Sequence, residues 1–211
     1  MKAVWYERNG PADSVLIVGE LPTPEPGPGE VRVRLITSGV NPSDVKSRLS
    51  RPLSAPRIVP HSDGAGVIDA VGEGVPHDRV GQAVWIWNGQ WQRPWGTAAE
   101  VIVGPAAQAG AMGPETDFAV AACVGIPVLT ALQALRLAKL QPGQRVLVIG
   151  AGTSVGHLVA QLCVQAGAAV IGTVGSARRA ELAQQAGVQA CVNYKTDAVS
   201  EAVRAFSKGE G

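Results

Sequence analysis

Gly150-Ala151-Gly152-Thr153-Ser154-Val155-Gly156 is the stretch whose spacing points most directly to chemistry. Glycines at such a turn let backbone N–H groups approach an anion, and a helix starting there adds its dipole. An apolar strand, Val146–Ile149, precedes the turn, and an amphipathic helix follows from Val155 to Ala166. That context suits the pyrophosphate of a dinucleotide. The turn departs from a strict G-x-G-x-x-G, because Val155 occupies the third glycine position and Gly156 comes one later. Glycine turns also serve plain helix packing, but the flanking elements favour binding.

Ser176-Ala177-Arg178-Arg179 forms a second cluster, after the strand Ala169–Val174, with no acid until Glu181. NAD-binding units tend to place an acid at this point for the ribose 2′-hydroxyl. Two arginines in a first helical turn oppose the helix dipole and so require a reason. A 2′-phosphate supplies one, with Ser176 as a further donor; a solvated basic pair is the alternative. The expected cofactor is therefore NADPH.

The remaining candidates are weaker when read alone. Asn41, at a strand end in Gly39-Val40-Asn41-Pro42-Ser43-Asp44, could hydrogen-bond a carbonyl or a ribose, but Asn-Pro is also an ordinary turn starter. His61 and Asp63 lie in a polar loop entering a strand, without the cysteines or carboxylates that zinc spacing demands. Asp63 is expected to satisfy backbone donors in its turn. Trp85, Trp87, Trp91 and Trp95 form a dense patch that fits either an apolar substrate cleft or the packing of a barrel and its loop. Thr130, by itself, is only a helix residue.

Two textures of sequence position these groups. Up to about residue 118 the chain is rich in Gly and Pro. Short strands are expected at Lys2–Tyr6, Ser14–Glu20, Glu30–Thr37, Gly64–Val71, Ala83–Trp87 and Thr97–Val103. Such a series suggests a small β-barrel. From residue 119 helices and strands alternate. Helices are expected at Glu115–Val124, Val128–Leu140, Val155–Ala166, Ala177–Ala186 and Ala198–Phe206. Strands are expected at Val146–Ile149, Ala169–Val174 and Cys191–Asn193. Alternation of this kind implies a parallel, doubly wound sheet. Its first strand is central in the complete fold, so a chain ending at Gly211 would leave Val146–Ile149 as an apolar edge, prone to self-association.

Composition excludes several classes. The chain has 211 residues, a formal net charge of +1 and only 17% charged residues, with no basic stripe for nucleic acid. Its three cysteines, Cys123, Cys163 and Cys191, lie apart in apolar stretches, as expected of buried, reduced thiols. The N-terminal residues do not read as a signal peptide, and Phe118–Leu132 is shorter than the roughly 20 residues of a membrane span. A cytoplasmic, soluble protein is the expectation.

Taken together, the motifs resemble one family. Met1-Lys2-Ala3-Val4, Pro24-Glu25-Pro26-Gly27-Pro28-Gly29-Glu30-Val31, Gly39–Asp44 and His61-Ser62-Asp63-Gly64-Ala65-Gly66-Val67 occur in the order of the zinc-free medium-chain reductases. So do Gly96-Thr97-Ala98-Ala99-Glu100, Pro127-Val128-Leu129-Thr130-Ala131 and the Val146–Gly156 segment. These are the NADPH:quinone oxidoreductases, or zeta-crystallin-like proteins, and the resemblance covers the whole chain. It implies a GroES-like barrel over residues 1–118, followed by the N-terminal half of a Rossmann domain over residues 119–211, with the active site between them. Full members continue beyond the length seen here, so the chain is expected to be C-terminally truncated.

The resemblance also assigns roles. Asn41 matches an active-site asparagine near nicotinamide and substrate, and Thr130 a threonine approaching the nicotinamide end of the cofactor. Gly152, Thr153, Ser154, Val155 and Gly156 form the phosphate turn, while Ser176, Arg179 and Tyr194 surround the adenosine 2′-phosphate. Zinc-ligand positions of related alcohol dehydrogenases hold Asn41, Ser62 and Ile126, so no metal is expected. Thr153-Ser154 replaces a glycine pair, and Lys46 replaces a tyrosine of several relatives. The implied activity is NADPH-dependent hydride transfer to a quinone or an α,β-unsaturated carbonyl by an enzyme that is a homodimer at full length. An enoyl or alkenal reductase and a non-catalytic NADPH-binding remnant are the alternatives.

Overall fold

The computed structural model describes residues 1–209; residues 210 and 211, at the far end of the second expected domain, lie outside the described residues. The chain forms two compact units, Met1–Ile126 and the remainder from Pro127. In the first, β3 (Glu30–Gly39) is flanked by β6 (Val101–Pro105) and β4 (Asp63–Val71), and the sheet continues through β5 (Ala83–Ile86) to β7 (Ala109–Ala111). All its pairings are antiparallel. A separate ribbon pairs β1 (Lys2–Trp5) with β2 (Ile17–Glu20), and single bridges tie Ala3 to Ala99 and Tyr6 to Ile58.

Alternation in β3 does what its sequence requires. Val31 and Val33 are buried with Ile68, Val84, Ile86 and Ile102, each contributing on the order of 2 kcal/mol of burial. Arg32 and Arg34 point the other way and share Asp69, at 2.8 and 2.9 Å. The second unit holds three parallel strands in the order β10 (Ala190–Asn193), β9 (Ala169–Val174), β8 (Arg145–Val148). Between and beside them run α4 (Leu129–Ala138), α5 (Ser154–Gln165), α6 (Ala177–Gln185) and α7 (Val199–Ser207). Val148, Ala151, Ala160, Cys163, Val170 and Val188 form their core. This is the barrel-type antiparallel unit and Rossmann-type parallel sheet that the sequence implied.

Several local expectations need correction. The expected strand Ser14–Glu20 begins as the helical turn α1 (Ala12–Val15), because Pro11 sets its start and Val15 packs on Tyr6 and Ile58. The loop expected around Asn41 leads straight into α2 (Pro42–Ser50), which the sequence reading missed. Thr97–Glu100 is not regular strand: Ala98 and Glu100 bond the backbone of the first strand instead, and β6 begins at Val101. The helix expected over Glu115–Val124 shrinks to α3 (Phe118–Ala121), capped by Asp117, whose carboxylate accepts from Ala119 N at 2.7 Å. Its Ala121 and Ala122 pack on Ala65, so it belongs with the first unit. Of the cysteines expected to be buried, only Cys163 is; Cys191, in β10, is half-buried and Cys123, just after α3, is exposed.

Candidate functional site

The second unit carries a groove of about 370 Å³ at the C-terminal ends of its three strands, where α/β sheets bind ligands. Gly152 and Thr153 come from the turn after β8, Ser176 and Arg179 from the start of α6, and Tyr194 and Lys195 from the end of β10. Each is placed by local structure. Gly150 holds φ at +73°, a value that favours glycine. Thr153 caps α5, donating from Oγ1 to Gly150 O at 2.7 Å and accepting from Gly156 N at 3.4 Å. Ser176 caps α6 by accepting from Arg179 N. The Arg179 guanidinium donates to Gly152 O, tying the two turns together.

The glycines act through close approach. A Cβ on Gly152 would lie 2.3 Å from Arg179 O, and one on Gly156 would lie 2.1 Å from Gly150 O. Gly156 therefore does the packing work expected of a third glycine, one position late. Five expected residues (Gly152, Thr153, Ser176, Arg179 and Tyr194) meet in the groove; Ser154, Val155 and Gly156 form the first turn of α5 and do not line it. Thr130 sits on α4 and does not line it either, nor does Arg178. Lys195 was missed, although a base directly after the third strand is open to the same charge argument as Arg179. Among the described residues two cations and no carboxylate face the groove, so its field favours a polyanion.

In the first unit Asn41 and Asp63 are buried together. Asn41 Nδ2 donates to Asp63 Oδ2 at 2.8 Å, and Ile126 N donates to both carboxylate oxygens, at 2.9 and 3.0 Å. Asp63 thus serves a backbone donor 63 residues away and not, as expected, donors in its own turn, and it also orients Asn41, which its sequence did not reveal. Burial pushes the Asp63 pKa up to about 6, partly offset by these hydrogen bonds. Asp44, the third residue of α2, accepts from Asn41 N at 2.7 Å and is also raised by burial. Asn41 is hence the residue before α2, held at both ends. Asn41, Ser62 and Ile126 present an amide, a hydroxyl and a hydrocarbon. Among the described residues no group of three or more His, Cys, Asp or Glu could hold a metal ion.

Of the two roles left open for the tryptophans, packing is the one seen, and only for some of them. Trp85 packs against Ala65 and Ala121, and Trp87 Nε1 donates to Ala107 O; Trp91 and Trp95 are exposed. No helix among the described residues is long and apolar enough to cross a membrane.

Comparison with known proteins agrees with this geometry. The family model "Alcohol dehydrogenase GroES-like domain" matches residues 27–127, and "Zinc-binding dehydrogenase" matches residues 154–211. A 2-haloacrylate reductase from Burkholderia sp is 31% identical over the whole chain, which spans 64% of its length. A solved NAD-dependent alcohol dehydrogenase superposes with a TM-score of 0.90 at 33% identity, covering 100% of this chain and 68% of that one. The Escherichia coli quinone oxidoreductase, solved with NADPH, gives a TM-score of 0.84 at 26% identity, over 99% of this chain and 63% of its own. The chain thus spans somewhat less than two thirds of the first of these relatives and of the last. Two unit architectures in sequence order, the glycine turn with its late packing glycine and these matches place the chain in the quinone oxidoreductase-like family of medium-chain dehydrogenases/reductases.

Proposed function

We propose that this chain carries the barrel domain (residues 1–118) and the N-terminal half of the NADP(H) domain (residues 119–211) of a zinc-independent, NADPH-dependent reductase. Its acceptor is a quinone or an α,β-unsaturated carbonyl. The groove in the second unit carries this reading: Arg179 and Lys195 offer charge to a 2′-phosphate, and Ser176 and Tyr194 offer hydroxyls. Among the described residues no acid that would bind a free 2′-hydroxyl and repel a phosphate lies in its lining. Ser154 and Val155, in the first turn of α5, present backbone N–H groups to the pyrophosphate together with Gly152, Thr153 and Gly156 of the turn. Bound NADPH supplies the hydride. Thr130 approaches its nicotinamide end in this reading, and Asn41, its amide fixed by Asp63, orients the acceptor through the second Nδ2 hydrogen. A zinc step does not fit, because the relevant side chains include a hydrocarbon and an amide already committed to Asp63. At full length the enzyme is a cytoplasmic homodimer on this reading.

The test is titration of this chain with NADPH and NADH, followed by NADPH oxidation with quinones and 2-haloacrylates. NADPH should bind more tightly, with a preference that weakens as salt rises. Equal affinities at low salt would remove the NADP(H) assignment. Binding without oxidation of NADPH would favour a non-catalytic role. A substituted acrylate is the second reading of the acceptor, supported by the similarity to the haloacrylate reductase.

A further inference from the structure

The first unit also holds a cavity of about 280 Å³, close to the lower end of small-molecule sites. Leu16, Val40 and Val45, three of the exposed large hydrophobics, gather at it, so its walls suit an apolar body. Its polar lining is Asp44, Arg48 and His61. Asp44 accepts from Asn41 N, and Arg48 donates to Gly10 O, so both have protein partners. Among the described residues His61 has a side-chain partner on Nδ1 only: Ser38 Oγ at 2.9 Å.

The direction of that bond can be worked out from the far end of its chain. Thr97 Oγ1 lies 2.6 Å from the Asp63 carbonyl oxygen, which can only accept, so the single Thr97 hydroxyl proton goes there. Ser38 Oγ lies 2.9 Å from Thr97 Oγ1, and its own proton must therefore fill that bond. Nothing is left on Ser38 to donate to His61, so Nδ1–H is the donor. Neutral His61 is held as the Nδ1–H tautomer, with a bare lone pair on Nε2. Burial favours that neutral form, and the charges sharing the cavity, Asp44 and Arg48, are of opposite sign. His61 also holds φ at +77°, a conformation seldom adopted outside glycine and one found enriched at working sites.

We infer that this cavity binds a small apolar molecule carrying a hydroxyl, which donates its hydrogen bond to His61 Nε2. A quinone, which only accepts, leaves Nε2 unpaired, whereas the hydroquinone formed from it satisfies it. The identification of the ligand with that reduced product rests on the reductase reading; the polarity of the site does not.

The experiment has two arms on this chain at about pH 8, where histidine is neutral. Nitrogen NMR of His61 should show a protonated Nδ1 and an unprotonated Nε2. Binding of 2-naphthol should be roughly five- to tenfold tighter than that of 2-methoxynaphthalene, the worth of one hydrogen bond. His61→Gly keeps the positive φ, so the fold should survive, and the two ligands should then bind alike. Ser38→Ala should release the tautomer and shrink the preference without abolishing binding. An Nε2–H tautomer, equal affinities in the unsubstituted chain, a preference that survives His61→Gly, or no binding at millimolar concentration would each overturn the assignment. NADPH titration of the same sample separates the two readings: lost cofactor binding with an intact naphthol preference removes the reductase reading alone.

Discussion

A carboxylate as deeply enclosed as Asp63, 1% exposed, is stable only if it is well paired or protonated. Its three hydrogen bonds from Asn41 and Ile126 do not fully offset burial, and its pKa stands near 6 against 3.8 unperturbed. The folded state therefore binds the proton more tightly than the unfolded state does. This contribution to stability is complete below about pH 4 and is lost as pH rises through about 6, on the order of 3 kcal/mol. Chemical denaturation across that window should show the slope, and Asp63→Asn should flatten it; an unchanged slope would mean that another group titrates. Asp44 shifts in the same direction, so the Asp63→Asn difference isolates one of the two. In the groove, Lys195→Ala should weaken NADPH roughly tenfold while leaving NADH nearly untouched, as read by paired fluorescence titrations; Arg179→Ala, which also unties the two turns, should weaken both cofactors but NADPH more. A parallel loss for both cofactors would move those side chains away from the 2′-phosphate.

At the scale of elements, glycines decide how closely chain segments meet. A Cβ on Gly125 would sit 2.1 Å from Asp63 Oδ1, so Gly125→Ala must displace either the carboxylate or the turn that donates Ile126 N to it. A fall in melting temperature corresponding to roughly 2 kcal/mol is expected in a thermal scan. Gly156→Ala should push α5 off the turn after β8 and reduce NADPH affinity more than it reduces stability. Thr153→Ala, which removes a cap, should cost about 1 kcal/mol. The same reasoning explains why α2 escaped the sequence reading. Asn41-Pro42 suits a turn, but a capping residue followed by proline at the first helical position equally suits a helix start. Both ends of the helix are held: Asp44 accepts from Asn41 N at its start, and Asn9 Nδ2 shares its two protons among the Ser47, Arg48 and Arg51 carbonyls at its far end.

For the molecule as a whole, the exposed flank of the second unit is the main liability. Among the described residues β8 pairs only with β9, and Leu147 and Ile149 are exposed beside it. This chain should self-associate in sedimentation velocity, and Ile149→Lys should shift it toward monomer; a monomer before substitution would refute the edge argument. The sequence by itself determined the two architectures, the glycine turn after β8 and the charge at the end of β9. Those depend on periodicity, glycine positions and residue type over short spans, which need no knowledge of distant neighbours. Only the tertiary structure decided that Asp63 orients Asn41, that Lys195 rather than Arg178 joins Arg179 in the groove, and that Ser38 and Thr97 set the His61 tautomer. Each of those pairs residues separated by 16 to 59 positions or turns on which side of a short segment faces inward. Such choices are made when strands register and helices dock, because burial and hydrogen-bond satisfaction are properties of the packed chain and not of any one stretch of it.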